Sequence, residues 1–133
     1  MTESEETALD AVERASGFAY FGSGSDAIDR LLGGGYRAGR LTEIFGRSNS
    51  GKTQLAMQAA LLAAKQGIQT LFLDTEGSFR PERLEEMANA RGWKTEGILE
   101  NILYVRVESS SEQRETTQGM EARASTAPCK LVV

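Results

Sequence analysis

The feature that most constrains this chain is a glycine-rich loop that stands between a predicted strand and a predicted helix. The loop reads G-x-x-x-x-G-K-T from Gly46 to Thr53. The apolar segment Leu41–Phe45 before it predicts a strand, and Thr53–Gln66 after it predicts a helix that ends at Gly67. A loop of this kind is informative only in a strand–loop–helix setting, and here the setting agrees with the motif.

Phosphate binding is the chemistry that such a loop performs. The backbone N–H groups of a glycine-rich turn that opens a helix form a concave set of donors for anions. Gly46 and Gly51 allow close approach of the backbone or a positive φ angle. Lys52 adds a mobile charge for the β- and γ-phosphates, and the Thr53 hydroxyl is placed to bind Mg²⁺. We therefore expect a nucleoside triphosphate to bind at Gly46, Arg47, Ser48, Asn49, Ser50, Gly51, Lys52 and Thr53.

The composition is that of an ordinary soluble domain, and it excludes several kinds of chemistry. The 133 residues are 40% hydrophobic and 26% charged, and they include no histidine. Histidine-based acid–base catalysis, histidine-bound zinc and a Ser–His triad are therefore excluded. Cys129 is the single cysteine, which favours a reducing, cytoplasmic location. No apolar stretch reaches the roughly 18 residues of a membrane span, so we expect no membrane association.

The charge is uneven along the chain. Residues 1–20 contain five acidic side chains and one basic side chain, whereas acids and bases balance over residues 21–133. No strongly basic face is indicated, so composition alone neither supports nor excludes nucleic-acid binding.

Predicted strands and helices alternate along the chain. This alternation predicts an α/β fold with a mainly parallel sheet. We divide the chain into an acidic helix with an aromatic connector, residues 1–21, and a nucleotide-binding core, residues 22–133. The predicted helices are Ser4–Ala15, Asp26–Leu32 with Ser25 as its cap, Thr53–Gln66 after the glycine-rich loop, Pro81–Arg91 and a helix from Ser110 to about Ala124. The further predicted strands are Gln69–Leu73, Asn101–Val107 and Lys130–Val133.

A second group of candidate residues follows the strand Gln69–Leu73. In an open parallel sheet, ligands bind beyond the carboxyl ends of the strands, where the phosphate loop also lies. Glu76 in this position can orient and deprotonate an attacking water, although a surface acid is the competing interpretation. Asp74 either faces Mg²⁺ or serves as a capping and turn residue.

Together these segments resemble the ATPase core of the archaeal RadA/RadB and eukaryotic recombinases, which belong to the RecA superfamily. The similarity covers roughly residues 22 to 108, and its most specific part is the run D-T-E-G-S-F-R-P-E-R-L. It implies a P-loop NTPase fold of the RecA-like type, with three layers. The segments that carry it are Gly24–Asp29, Leu31–Gly35, Leu41–Gly46, Gly51–Gln54 and Asp74–Leu84.

The resemblance assigns roles residue by residue. It implies that Glu76 is the water-activating catalytic residue and that Lys52 and Thr53 occupy the phosphate and magnesium positions. It places Gln54 with the nucleotide-binding residues and the Arg83 guanidinium over the adenine, a suitable use of a planar cation. ATP and Mg²⁺ are the implied cofactors. Single-stranded DNA and other recombinase subunits are the implied partners, either in strand exchange or, as in RadB-like paralogues, in assisting it.

The last residues qualify this expectation. Lys130–Val133 resembles the first part of a Walker B strand, and the acidic residue of that strand is expected after Val133. For a core cut before this acid and before the DNA-contacting loops, we expect ATP binding, poor hydrolysis and little intrinsic affinity for DNA.

Three alternatives remain open at this point. A GTPase would also contain the D-x-x-G run Asp74–Gly77, but no Asn-Lys pair for guanine recognition occurs in the chain. A KaiC-like regulatory ATPase would share the phosphate loop but not the F-R-P-E-R run. A non-catalytic truncated paralogue would act only as a partner-binding module.

Overall fold

The structure is a computed structural model that describes residues 7–16, 19–126 and 129–133. The chain forms two compact units, Met1–Glu43 and Ile44–Val133. The domain boundary that the sequence places before residue 22 stays a prediction. No helix in the described parts of the chain is both long enough and apolar enough to cross a membrane.

The first unit begins with helix α1 (Ala8–Ser16). Thr7 caps this helix, because the Asp10 backbone N–H donates to the Thr7 hydroxyl over 3.1 Å while the Thr7 N–H donates to the Asp10 carboxylate over 2.9 Å. This reciprocal pair is a capping box, which fixes the first turn. The predicted helix start at Ser4 lies outside the described residues.

A short antiparallel pair of strands, β1 (Tyr20–Phe21) and β2 (Tyr36–Arg37), follows α1 in the first unit. The sequence predicted only an aromatic connector at β1 and no strand at β2, because two-residue strands are too short to show a periodic pattern. Gly35 has a φ angle of 116°, and a Cβ atom at this position would lie 2.4 Å from the Phe21 carbonyl oxygen. Glycine is therefore required where the strands meet.

Between these strands lies helix α2 (Asp26–Leu31), with Ser25 at its N-cap as predicted. The Ser25 side chain makes no capping hydrogen bond. Asp29 instead accepts the Ser23 N–H over 2.8 Å, and hydrogen bonds from the side chain and backbone of Ser23 lower the pKa of Asp29. The loop before α2 is therefore held by a residue of the helix itself.

The second unit contains a three-stranded sheet of β3 (Gln69–Asp74), β4 (Ile102–Arg106) and β5 (Cys129–Val132). The strand order is β4-β3-β5, and β3 pairs in parallel with both neighbours. This confirms the predicted α/β fold with a parallel sheet. The register places Asp74 opposite Arg106, so both side chains stand at the carboxyl end of the sheet.

The helices of the second unit are α3 (Lys52–Lys65), α4 (Pro81–Asn89) and α5 (Ser110–Thr126), with a 3₁₀ turn at Leu99–Asn101. As predicted, α3 is buried on more than one side, because it contacts both β3 and α4. Its small residues allow this close packing. The core consists of Met57, Ala60, Leu61, Ala64, Phe72, Leu84, Met87, Ala88 and Ile98.

The strand predicted at Leu41–Phe45 is wrong. The segment forms no strand, and the side chains of Leu41 and Phe45 are 98% and 87% exposed. A strand exists only where a neighbour satisfies its backbone hydrogen bonds. No strand of the described chain pairs with this segment, and its apolar character alone does not provide the missing backbone partner.

Candidate nucleotide-binding site

The glycine-rich loop leads directly into α3. Asn49 and Gly51 have φ angles of 59° and 93°, so the chain passes through the left-handed region twice before the helix begins. A Cβ atom at Gly46 would lie 3.1 Å from the Ser50 hydroxyl. Close approach at Gly46 and a positive φ angle at Gly51 are therefore the reasons for glycine at these two positions.

Lys52 folds back over the loop. Its ammonium group donates to the carbonyl oxygens of Gly46 over 3.0 Å and of Arg47 over 2.7 Å. The charge is therefore held against the start of the loop, although Lys52 is the first residue of α3. Phosphate oxygens would be stronger acceptors for this ammonium than neutral carbonyls, because both partners would then be ionised.

The end of the loop and the first turn of α3 line an open cavity of about 310 Å³. Its lining combines an ammonium, hydroxyl groups and side-chain amides with the backbone at a helix N-terminus. This set of groups fits a polyphosphate with its magnesium ion, since Thr53 supplies a hydroxyl and the helix start favours anions. The lining residues are Asn49, Ser50, Gly51, Lys52, Thr53 and Gln54.

A second, slightly larger cavity of about 390 Å³ lies beyond the end of α4. Its lining includes the side chains of Trp93, Lys94 and Glu96. Because it has an acidic side chain and no helix N-terminus, its chemistry suits a phosphate group less well than that of the smaller cavity.

The acidic turn after β3 is organised by the Asp74 carboxylate. Asp74 is buried and accepts four consecutive backbone N–H groups, which confirms the predicted role of a turn residue; its alternative role, facing Mg²⁺, stays a prediction. Its two oxygens accept from Glu76 at 3.2 Å, Gly77 at 2.8 Å, Ser78 at 3.2 Å and Phe79 at 3.1 Å.

The hydrogen bonds around Asp74 keep it ionised. Burial raises the pKa of this carboxyl, but the N–H groups of the turn outweigh burial and the pKa is lowered. Tyr104 also donates its hydroxyl to Asp74 over 3.2 Å, and the Arg106 guanidinium lies 3.8 Å from the carboxylate. For Tyr104, burial and then the bond to Asp74 raise the pKa. The turn is thus built around a buried negative charge.

Phe79 anchors the other end of the turn. Its ring centroid lies 4.9 Å from that of Phe72 and 4.5 Å from that of Tyr104, the latter pair stacked at 19°. The turn is therefore fixed at one end by Asp74 and at the other by Phe79. Glu76 lies between them, and its side chain is exposed. In the part of the chain that the structure describes, no hydrogen bond or ion pair joins Glu76 to the phosphate loop.

Arg83 and Gln54 are brought together although they are far apart in the sequence. The Arg83 Nε donates to the Gln54 side-chain oxygen over 2.7 Å, and its Nη1 donates to Glu86 over 2.8 Å. Two of the residues that the sequence placed at the nucleotide therefore meet at the rim of the cavity.

Sequence reasoning missed Tyr104, Arg106 and Glu86. The first two could be found only from the strand register, which sets Asp74 beside Arg106. The ion pair between Arg83 and Glu86 could have been predicted, because the two residues are three positions apart on a predicted helix and carry opposite charges.

Comparison with known proteins gives consistent matches. A sequence model of the family described as Rad51 matches residues 14–133. A meiotic recombination protein DMC1 homolog from Glycine max is 35% identical over 133 residues, covering 96% of this chain and 39% of the relative. The meiotic recombination protein DMC1 homolog A of Oryza sativa subsp. japonica is 38% identical, covering 84% of this chain and 34% of the relative.

A third relative covers a comparable share of the chain. The DNA repair and recombination protein RadA of Metallosphaera sedula is 37% identical over 113 residues, covering 80% of this chain and 35% of the relative. The chain thus spans about a third to two fifths of the length of these three relatives.

Proposed function

This chain belongs to the Rad51 family, and from that premise we propose that its Ile44–Val133 unit binds ATP in a recombinase-type role in DNA recombination and repair. The observation that carries the proposal is the cavity at the phosphate loop, with Lys52 and Thr53 in its lining. The names of the relatives support the biological setting, since they are described as recombination or DNA repair proteins. The family match favours this function over a GTPase or a KaiC-like regulator.

Each side chain of the cavity has a distinct part in the proposal. The loop backbone and the Lys52 ammonium would hold the β- and γ-phosphates, and the Thr53 hydroxyl would bind Mg²⁺. The magnesium ion, when bound, supplies positive charge to the phosphates. Arg83, hydrogen-bonded to Gln54 at the rim, would face the base.

Glu76 is the proposed catalytic base. Its carboxylate is exposed and sits in a turn held by Asp74, an arrangement that can orient a water molecule without large rearrangement. Single-stranded DNA, further recombinase subunits and a cytoplasmic location belong to the proposal as properties of the family role.

The test of ATP binding is the thermal stability of the purified chain with and without magnesium and ATP. At about 100 times the dissociation constant, a ligand adds about 2.7 kcal/mol of stability, or about 10 °C in melting temperature for a chain of this size. Lys52→Ala should remove this shift. Lys65→Ala, at the other end of the same helix, is the matched control and should retain it. An unchanged shift in Lys52→Ala would contradict the phosphate-loop assignment.

The role of Glu76 is tested by phosphate release, measured with and without single-stranded DNA. We expect slow hydrolysis by the isolated chain, and a reduction of about 100-fold or more in Glu76→Gln, because the amide cannot accept a proton from water. The ATP-induced melting shift should stay intact in this variant. Equal turnover by wild type and Glu76→Gln would show that Glu76 is not the base.

A further inference from the structure

The guanidinium group of Arg106 packs against the backbone of Gly77, the residue that follows Glu76. A Cβ atom at Gly77 would lie 3.4 Å from both Cζ and Nη2 of Arg106, and Gly77 has a φ angle of 73°. A side chain is strained at such a φ angle, so the backbone conformation alone already favours glycine. The contact gives a second reason for glycine, because a Cβ atom would press on the guanidinium.

The same guanidinium is bound to the first residue of the turn. Its Nη1 donates to the Asp74 carbonyl oxygen over 3.1 Å, and this oxygen also accepts the Val107 N–H over 3.0 Å. The Asp74 carboxylate lies 3.8 Å from Nη1. The planar fork of arginine loses little freedom for each hydrogen bond that it forms, so the group is well fixed. Arg106 therefore joins the first and fourth residues of the turn, and Glu76 stands between them.

The Glu76 side chain has no support of its own in the described part of the chain. No hydrogen bond or ion pair there involves its carboxylate, and only its backbone N–H is bound, to Asp74 over 3.2 Å. The direction of the carboxylate is therefore set by the backbone at residues 76 and 77. The Arg106 guanidinium restricts this backbone on the side of Gly77.

The two halves of the turn differ in their support. The second half ends at Phe79, whose N–H donates to Asp74 over 3.1 Å and whose ring packs on two further aromatic rings. Glu76 and Gly77, in the first half, are exposed. Their N–H groups bind Asp74, and Arg106 packs against Gly77. The first half therefore depends on Arg106 more than the second half does.

We propose that Arg106 is a positioning residue, whose guanidinium holds the Glu76–Gly77 half of the turn and thereby directs the Glu76 carboxylate toward the water that it activates. This inference rests on the proposed role of Glu76 as catalytic base and extends it to a residue of the neighbouring strand. Among the described residues, no hydrogen bond or ion pair joins Arg106 to the phosphate loop. Arg106 should therefore act on the rate of hydrolysis and not on the affinity for ATP.

Backbone amide relaxation of the labelled chain tests the positioning without turnover. In the wild type we expect order parameters of about 0.85 for residues 76–79, the value of a rigid backbone. In Arg106→Ala they should fall below about 0.6 at Glu76 and Gly77 and stay near the wild-type value at Ser78 and Phe79. Equal loosening of all four N–H groups would mean that Arg106 only supports the Asp74 charge. That result, or no loosening at all, would overturn the proposal.

Arg106→Lys separates positioning from folding. Lysine retains a positive charge beside Asp74 but lacks the planar group that packs on Gly77, so this variant should melt within about 3 °C of the wild type. We expect it to loosen Glu76 and Gly77 as Arg106→Ala does. Glu108→Gln is the matched control, because it removes an exposed carboxylate 4.0 Å from the Arg106 Nε. This control should keep the order parameters and the turnover of the wild type.

Phosphate release adds a double-variant test. Arg106→Lys should lower turnover about tenfold and leave the ATP-induced melting shift unchanged, since a small misplacement of a catalytic group is enough for such a loss. Combined with Glu76→Gln, it should have no further effect, because the two residues act as one unit. Wild-type turnover in Arg106→Lys, or additive losses in the double variant, would overturn the inference and leave Glu76 as the base. Wild-type turnover in Glu76→Gln would instead overturn the proposed base, and this inference with it.

Discussion

At the scale of single residues, the hydrogen bonds of Asp74 explain why the D-T-E-G-S-F run begins with an aspartate. A carboxylate at the end of β3 accepts the N–H groups of residues 76–79, and this wraps the backbone into a turn that displays Glu76. The sequence placed an acid at this position but left its role open between metal binding and turn formation. The turn role becomes visible only from the N–H groups directed at Asp74, and these depend on the path of the backbone.

Removal of this carboxylate should be costly. Asp74→Ala leaves the four backbone N–H groups of the turn without their shared buried acceptor, and we expect a loss of about 2 kcal/mol in the free energy of unfolding. Asp74→Asn should lose less, because the amide oxygen still accepts. Urea unfolding at pH 7 measures both, with the exposed Glu85→Gln as a control that should stay near wild type. An Asp74→Ala variant as stable as this control would contradict the role of the carboxylate.

The same residue predicts a dependence on pH. The pKa of Asp74 is lowered in the folded chain, so its ionised form stabilises the fold at pH values above the unfolded pKa of about 3.9. That contribution is lost as the pH falls through the lower folded value. The stability difference between wild type and Asp74→Asn should therefore be constant from pH 7 to pH 5 and shrink by pH 3.

At the scale of elements, the predictions from the sequence were correct where the residues of one segment are enough to determine its secondary structure. Helix α3 and strand β3 were predicted because a long apolar helix and a short apolar run are typical of a buried core. The segment Leu41–Phe45 failed for the opposite reason. Its apolar residues favour a strand, but strand formation depends on a partner elsewhere in the chain. The β1–β2 pair was missed because its contacts, too, are not local.

The packing of α3 gives a prediction at this scale. Ala60 is fully buried in the core with Phe72 and Leu84, so Ala60→Leu should destabilise the unit by about 1–3 kcal/mol through overpacking. Ala59, the neighbouring half-buried alanine on the same helix, offers a matched control in Ala59→Leu, which should cost less. Thermal unfolding of both variants measures the difference. A smaller effect at Ala60 than at Ala59 would mean that the helix faces the core differently.

At the scale of the whole molecule, the alternation of strands and helices was enough to predict a parallel α/β fold, and the motif was enough to predict a nucleotide-binding loop. The strand order β4-β3-β5 was not predictable, because order follows from long-range packing rather than from any segment. Likewise, the sequence named Gln54 and Arg83 separately, and only the packing of α3 against α4 joins them.

The central claim is that the loop at the start of α3 is where ATP binds, and amide NMR of the labelled chain tests it most directly. On addition of magnesium and ATP, we expect the largest shifts at residues 46–54, with smaller shifts near Arg83, and none of them in Lys52→Ala. Binding that instead moves the amides around Trp93 and Lys94, at the second cavity, or that persists unchanged in Lys52→Ala, would contradict the claim.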